Sequence, residues 1–235
     1  MPVYSAPPPS SCWNYGAFVE GATALRWSDA SSVTILKKTE ATRTVNGYTD
    51  NVYRVRLAGK EVSVWGGELA QAGLVPSGEK RTLLVRVVGT GQGKLRQVEA
   101  RLFPGGNTLR FSPIEVQDSA RFGYSLRLST TDGHGLRSVE RLFRLNFTYE
   151  ACDYPNGEVI LLQRGAQLVF GLRALSSRNE TGSVIYKLVF PRDKGGRPNQ
   201  VRQVETLTER SESGKLLREK TRVKTYRWSG ERMVE

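Results

Sequence analysis

Histidine and cysteine are almost missing from this sequence. The single histidine is His134, and the two cysteines are Cys12 and Cys152. Hydrolases built on a serine or cysteine nucleophile need a base beside it. The only imidazole stands in Thr131-Asp132-Gly133-His134-Gly135, a turn sequence. Cys152 adjoins Asp153, and no base partner suggests itself. Neither cysteine has a second Cys or a His at metal-ligand spacing. The expectation is therefore no metal, no cofactor and no catalytic residue. The cysteines leave two alternatives open: one long-range disulfide in an oxidising compartment, or two free thiols. Long apolar runs are missing too. None approaches the roughly 18 residues that cross a bilayer as a helix, so no membrane span is expected. Met1 to Ser11 is rich in Pro and Ser, with no basic residue and no apolar stretch. It does not read as a signal peptide, and the chain is expected to be a mature, trimmed one.

What is present in excess is positive charge. The chain has 35 Lys and Arg against 23 Asp and Glu, a net +12. Residues 1–75 hold seven basic and six acidic residues, and residues 76–235 hold 28 and 17. The basic character thus falls on the later part of the chain. Such a balance attracts nucleic acid, lipid headgroups and anionic wall polymers without sequence specificity. The plainer reading is that Lys and Arg solvate strand faces and guard sheet edges.

A period of two dominates the pattern, and no long 3.6-residue period competes with it. Val33 to Leu36 is short and β-branched. Asn51 to Leu57 and Glu61 to Trp65 alternate around the turn Ala58-Gly59-Lys60, with Val52, Val55 and Leu57 placed on one face. Gly66 to Ala70 closes this unit as a short helical turn. Residues 75–80 read as a linker. Strands follow at Thr82–Val88, Val98–Phe103, Leu109–Val116, Phe122–Leu128, Val139–Tyr149, Glu158–Leu162, Gln167–Leu172, Val184–Phe190 and Gln200–Leu207. Glu209 to Trp228 reads as a charged hairpin turned at Ser213-Gly214. Regular short strands with Gly-rich turns predict an all-β chain, a sandwich or meander of antiparallel sheet.

Three motifs are read as turns rather than sites. Asp193-Lys194-Gly195-Gly196-Arg197-Pro198-Asn199 resembles a calcium loop faintly, but its two cations oppose that use. Gly89-Thr90-Gly91-Gln92-Gly93-Lys94 lacks the context of a phosphate loop. Asn146-Phe147-Thr148 and Asn179-Glu180-Thr181 match a glycosylation acceptor, a weak pattern.

Ala24-Leu25-Arg26, Ser28 to Val33, Tyr53-Arg54-Val55-Arg56 and Gly59 to Gly67 together resemble the bacterial Src-homology-3-like domain of secreted and cell-envelope proteins. The likeness covers residues 18–72. Ala151 to Glu158, Phe190 to Gly196 and Tyr226 to Gly230 are similar to an uncharacterised domain that follows such barrels. The expected organisation is a flexible tail at 1–17, a small barrel at 18–74 and a larger antiparallel β-domain at 81–235, and the resemblance implies a periplasmic or extracellular protein without catalytic activity. Barrels of this type bind extended peptides on aromatic-lined grooves, which makes Trp27, Tyr48, Tyr53 and Trp65 the candidate ligand-binding residues. The leading expectation is an envelope binding module for cell-wall peptide or a protein partner. A second is binding of nucleic acid or another polyanion by the later domain, with Tyr186, Tyr226 and Trp228 as stacking residues. A third is a hydrolase whose acids meet only in the fold.

Overall fold

A computed structural model describes residues 20–45, 48–70, 72–76, 80–90, 96–111, 125–148 and 156–235. Cys12, Cys152 and most of the Gly89–Lys94 loop lie outside the described residues. The fold is all-β with antiparallel pairing, and no helix among the described residues reaches seven residues. The chain divides into two compact units, 1–128 and 129–235. The division falls well past the 75–80 segment read as a linker. Strands from 82 to 111 thus belong with the earlier residues rather than with the later sheet.

Unit 1 holds two sheets. The first contains β1 (Thr23–Arg26), β2 (Ser32–Val45), β3 (Tyr48–Leu57), β4 (Lys60–Trp65) and β5 (Leu69–Ala70), in the order β4-β3-β2-β1-β5. A single 3-10 turn, Gly66–Glu68, joins β4 to β5. Ala58 and Gly59 both take positive φ at the β3–β4 turn. Ala24, Val33, Ile35, Tyr53, Val55 and Leu69 form its core, with Leu57 and Val64 packed against it. Val52 does not share that face. It pairs with Trp65, while Tyr53 pairs with Val64, so strict alternation puts Val52 and Val55 on opposite sides. β2 is also far longer than Val33–Leu36. Its polar continuation pairs with the first half of β3 through two register shifts.

The second sheet of unit 1 is β6 (Ala72–Leu74), β7 (Thr82–Thr90), β8 (Arg96–Phe103) and β9 (Thr108–Phe111), joined in chain order. Trp27, Ala70 and Leu84 form a small buried cluster that takes residues from both sheets.

The remaining sheet has eight strands in unbroken sequence order. They are β10 (Ser125–Asp132), β11 (Arg141–Thr148), β12 (Asn156–Arg164), β13 (Gln167–Asn179), β14 (Gly182–Val189), β15 (Gln200–Arg210), β16 (Leu216–Trp228) and β17 (Met233–Val234). β10 runs across the 128/129 boundary. The core of unit 2 gathers Leu142, Ile160, Leu162, Leu172 and Ala174 from β11–β13 with Leu188, Phe190, Val201 and Trp228 from β14–β16 and their flanks. The meander therefore folds over on itself, and the long β13 belongs to both halves. Trp228 donates from its indole Nε1 to the Arg137 carbonyl at 2.8 Å, fixing the end of β16 to the loop after β10.

Candidate functional site

Three of the four aromatic residues expected to line a groove are buried instead. Tyr53 is fully buried in the first core, and Trp27 and Trp65 are only 6% and 8% exposed. A Cβ on Gly67 would stand 2.3 Å from the Trp65 ring, so glycine there lets the chain lie on that indole, and a Cβ on Gly66 would stand 2.4 Å from the Asp50 carboxylate. Tyr48 opens β3; its side chain is outside the described residues. Trp27 is held between two guanidiniums, with Arg86 at 4.3 Å and Arg101 at 5.1 Å from its ring centre. Arg101 also donates to the Trp27 carbonyl at 2.5 Å. Arg86 and Arg110 both bind the buried carboxylate of Glu99, at 3.0 and 2.5 Å. Arg86 and Glu99 are turned inward and paired, while Arg101 is held by the Trp27 and Ser28 carbonyls, which is a structural arrangement.

Unit 2 places its cations differently. The β15–β16 hairpin is closed by residues 211–215. There the Gly214 amide donates to the Ser211 carbonyl at 2.8 Å, and the Arg210 guanidinium donates to the Gly214 carbonyl at 2.9 Å. Gly214 has φ +80°, a conformation that suits glycine. The ladder pairs Glu209 with Arg218, Leu207 with Lys220, Glu205 with Arg222, Gln203 with Lys224 and Val201 with Tyr226. Arg218, Lys220, Arg222 and Lys224 therefore stand on one face at alternate positions. With a rise of about 3.4 Å per residue they recur every ~6.8 Å and span ~20 Å. The opposite face carries Leu217, Glu219, Thr221, Val223 and Thr225. Every residue of β16 from Leu216 to Thr225 is exposed.

Only the two ends of the cation row have acidic partners among the described residues. Lys224 Nζ lies 3.2 Å from Glu205 Oε1, and Arg218 lies 4.0 Å from Glu209. The hydrogen bond and charge of Glu205 raise the Lys224 pKa above its ordinary value. Gln203 Nε2 also donates to Glu205 Oε1, at 2.7 Å, so that carboxylate is already engaged. No ion pair to Lys220 or Arg222 is made by any described residue. β17 pairs with β16 only at Arg227 and Trp228. Among the described residues, Leu216 to Tyr226 thus have a sheet partner on one side and none on the other.

Elsewhere in unit 2 one ion pair is partly buried. Arg144 reaches Glu158 at 3.1 Å and lies 5.1 Å from the Phe190 ring centre. Burial, and then the Glu158 charge, push the Tyr186 phenol well above its ordinary pKa. Tyr186 and Tyr226 pack half-buried against the core, and Trp228 is inside it. They do not make a stacking platform.

His134 stands in a turn, with φ +47°. Its amide donates to Asp132 Oδ1 at 3.1 Å, its Nδ1 is 3.7 Å from Asp193 Oδ1, and its ring lies 5.3 Å from that of Phe190. Asp193 accepts from the Phe190 amide at 2.8 Å, and its carbonyl accepts from Gly196. The loop closes on itself through these bonds. No group of three or more His, Cys, Asp or Glu able to hold a metal occurs among the described residues, and none of their helices is long and apolar enough to cross a membrane.

The alternate basic residues of β16 are legible in the sequence as Arg-x-Lys-x-Arg-x-Lys. Reading that stretch only as a charged hairpin missed that its cations share one face. No protein-family model, no curated protein and no solved structure matches the chain.

Proposed function

We propose that this protein is a non-catalytic binding module of the bacterial cell envelope, periplasmic or extracellular, that holds an anionic partner on strand β16. One observation carries the reading: four cations share one face of an exposed edge strand, and the middle two have no acidic partner among the described residues. Cations left unpaired on an exposed surface attract an anionic ligand and lose little hydration before it arrives. The envelope assignment is supported by the resemblance of residues 18–72 to bacterial Src-homology-3-like domains, and a five-stranded antiparallel sheet occupies that stretch. The burial of Trp27, Tyr53 and Trp65 turns the reading away from an aromatic peptide groove.

The test is sedimentation with insoluble cell wall, run beside an oligonucleotide titration at several salt concentrations. The comparison variant replaces Arg218, Lys220, Arg222 and Lys224 with Thr, a good strand former. The variant is expected to unfold within about 1 kcal/mol of the parent, since the four side chains are exposed. Its log affinity for single-stranded oligonucleotide should depend on log salt with a slope smaller by about 3, some 0.7 for each phosphate no longer neutralised. Equal binding by parent and variant, or no binding to either polymer, refutes the assignment.

A further inference from the structure

We infer that the open edge of β16 takes up an extended acidic polypeptide segment as an added strand. The inference rests on the function proposed for that strand and names the class of partner. The edge from Leu216 to Tyr226 is hydrogen-bonded to β15 on one side, and no described residue pairs with it on the other. A sheet edge of this kind is a template for strand addition, in which main-chain bonds give affinity and alternate side chains give specificity.

Its side chains specify the partner in two ways. Arg218, Lys220, Arg222 and Lys224 lie on one face with a ~6.8 Å repeat. A partner strand with acidic residues at every second position repeats its carboxylates at the same spacing and sets each beside a cation. The opposite face offers Leu217, 64% exposed, and Val223, 48% exposed, with Glu219, Thr221 and Thr225. An added strand would cover that surface with its other, apolar or β-branched positions.

The same pattern rejects a second copy of the chain. Two β16 edges joined antiparallel by a two-fold axis must pair residues of equal parity. That sets Arg218 against Lys224 and Lys220 against Arg222, or Lys220 against Lys224 with Arg222 against itself. Like charges directly opposite one another destabilise the pair. The edge is thus guarded against self-association and remains open to an acidic strand.

The experiment measures binding of the full chain to three probes: a fluorescent peptide of alternating Glu and Val, the same peptide N-methylated at every residue, and inorganic polyphosphate. Methylation keeps the charge and removes every main-chain donor. The parent peptide is expected to bind, and to lose more than about tenfold in affinity on methylation. It should also lose most of its binding to the protein carrying Arg218→Thr, Lys220→Thr, Arg222→Thr and Lys224→Thr. If polyphosphate binds and the parent peptide does not, or if methylation costs nothing, strand addition is overturned while the anionic-partner reading stands. If none of the three probes binds, both fall.

Discussion

The two units carry the same net charge, and one charge cluster in each shows a different way of deploying it. Residues 1–128 hold 16 basic and 10 acidic residues, and residues 129–235 hold 19 and 13, so each stands at +6. Counted about residue 75, where the composition changes, nearly all the charge falls on the later part. Counted by the compact units, it divides evenly. In unit 1, Arg86, Arg101 and Glu99 surround Trp27 or one another in partly or fully buried positions. In unit 2, the cations of β16 face solvent, and two of them have no acidic partner among the described residues. Net charge alone does not show where cations stand without acidic partners. The state of pairing of each charge does.

Unit 1 offers the strongest ways to strain this contrast. Trp27→Ala removes an indole gripped by two guanidiniums and should cost about 4 kcal/mol in urea unfolding. Segment-resolved hydrogen exchange should place the loss in residues 23–111. Glu99→Ala leaves Arg86 and Arg110 without their shared carboxylate and should cost about 3 kcal/mol by the same measurement. A neutral Glu99→Ala would mean that the inward charges of unit 1 are as dispensable as the outward ones of β16.

A smaller effect separates the units by pH. Tyr186, Tyr226 and Lys224 all have pKa values raised from ordinary values of 10.0, 10.0 and 10.5. Burial is the main cause for both phenols, and Glu205 for the amine. Each group holds its proton more tightly when folded. The stability it adds is complete below its ordinary value and is lost as the pH rises through the raised one. In unit 1, Asp29 is shifted downward by hydrogen bonds from the Ser31 hydroxyl and amide, so its contribution is lost on the acid side. Hydrogen exchange in residues 182–228 should therefore accelerate above about pH 10 before that of residues 82–111, which contain no tyrosine. Simultaneous loss in both segments would remove this distinction.

The strands were legible because their residues alternate and their turns carry glycine. The pairs β3–β4, β12–β13 and β15–β16 fall where Ala58-Gly59, Arg164-Gly165 and Ser213-Gly214 place them. Parity was legible locally but not its meaning. Tyr53 alternates equally well whether its face is core or groove, and only the packing of Ala24, Ile35 and Leu69 against it decides. Trp27 was less readable still, because its two arginine neighbours come from 59 and 74 positions further along the chain. The far half of β2 was invisible for another reason. Lys37 to Val45 is polar because it is exposed, and main-chain bonds to β3, not a hydrophobic face, hold it as strand. The cation row could have been found by asking which charges in the last hairpin share a parity.

The order of the later sheet has a consequence for how it is built. From β10 to β17 each strand lies beside the one made just before it. A chain emerging from the ribosome can therefore lay down this sheet in the order of synthesis, each new strand sealing the side left bare by the last and closing only a short loop as it does so. The front of growth passes along the meander to β16, where β17 covers only Arg227 and Trp228. The edge proposed to take a partner is the side that this order of laying down leaves bare.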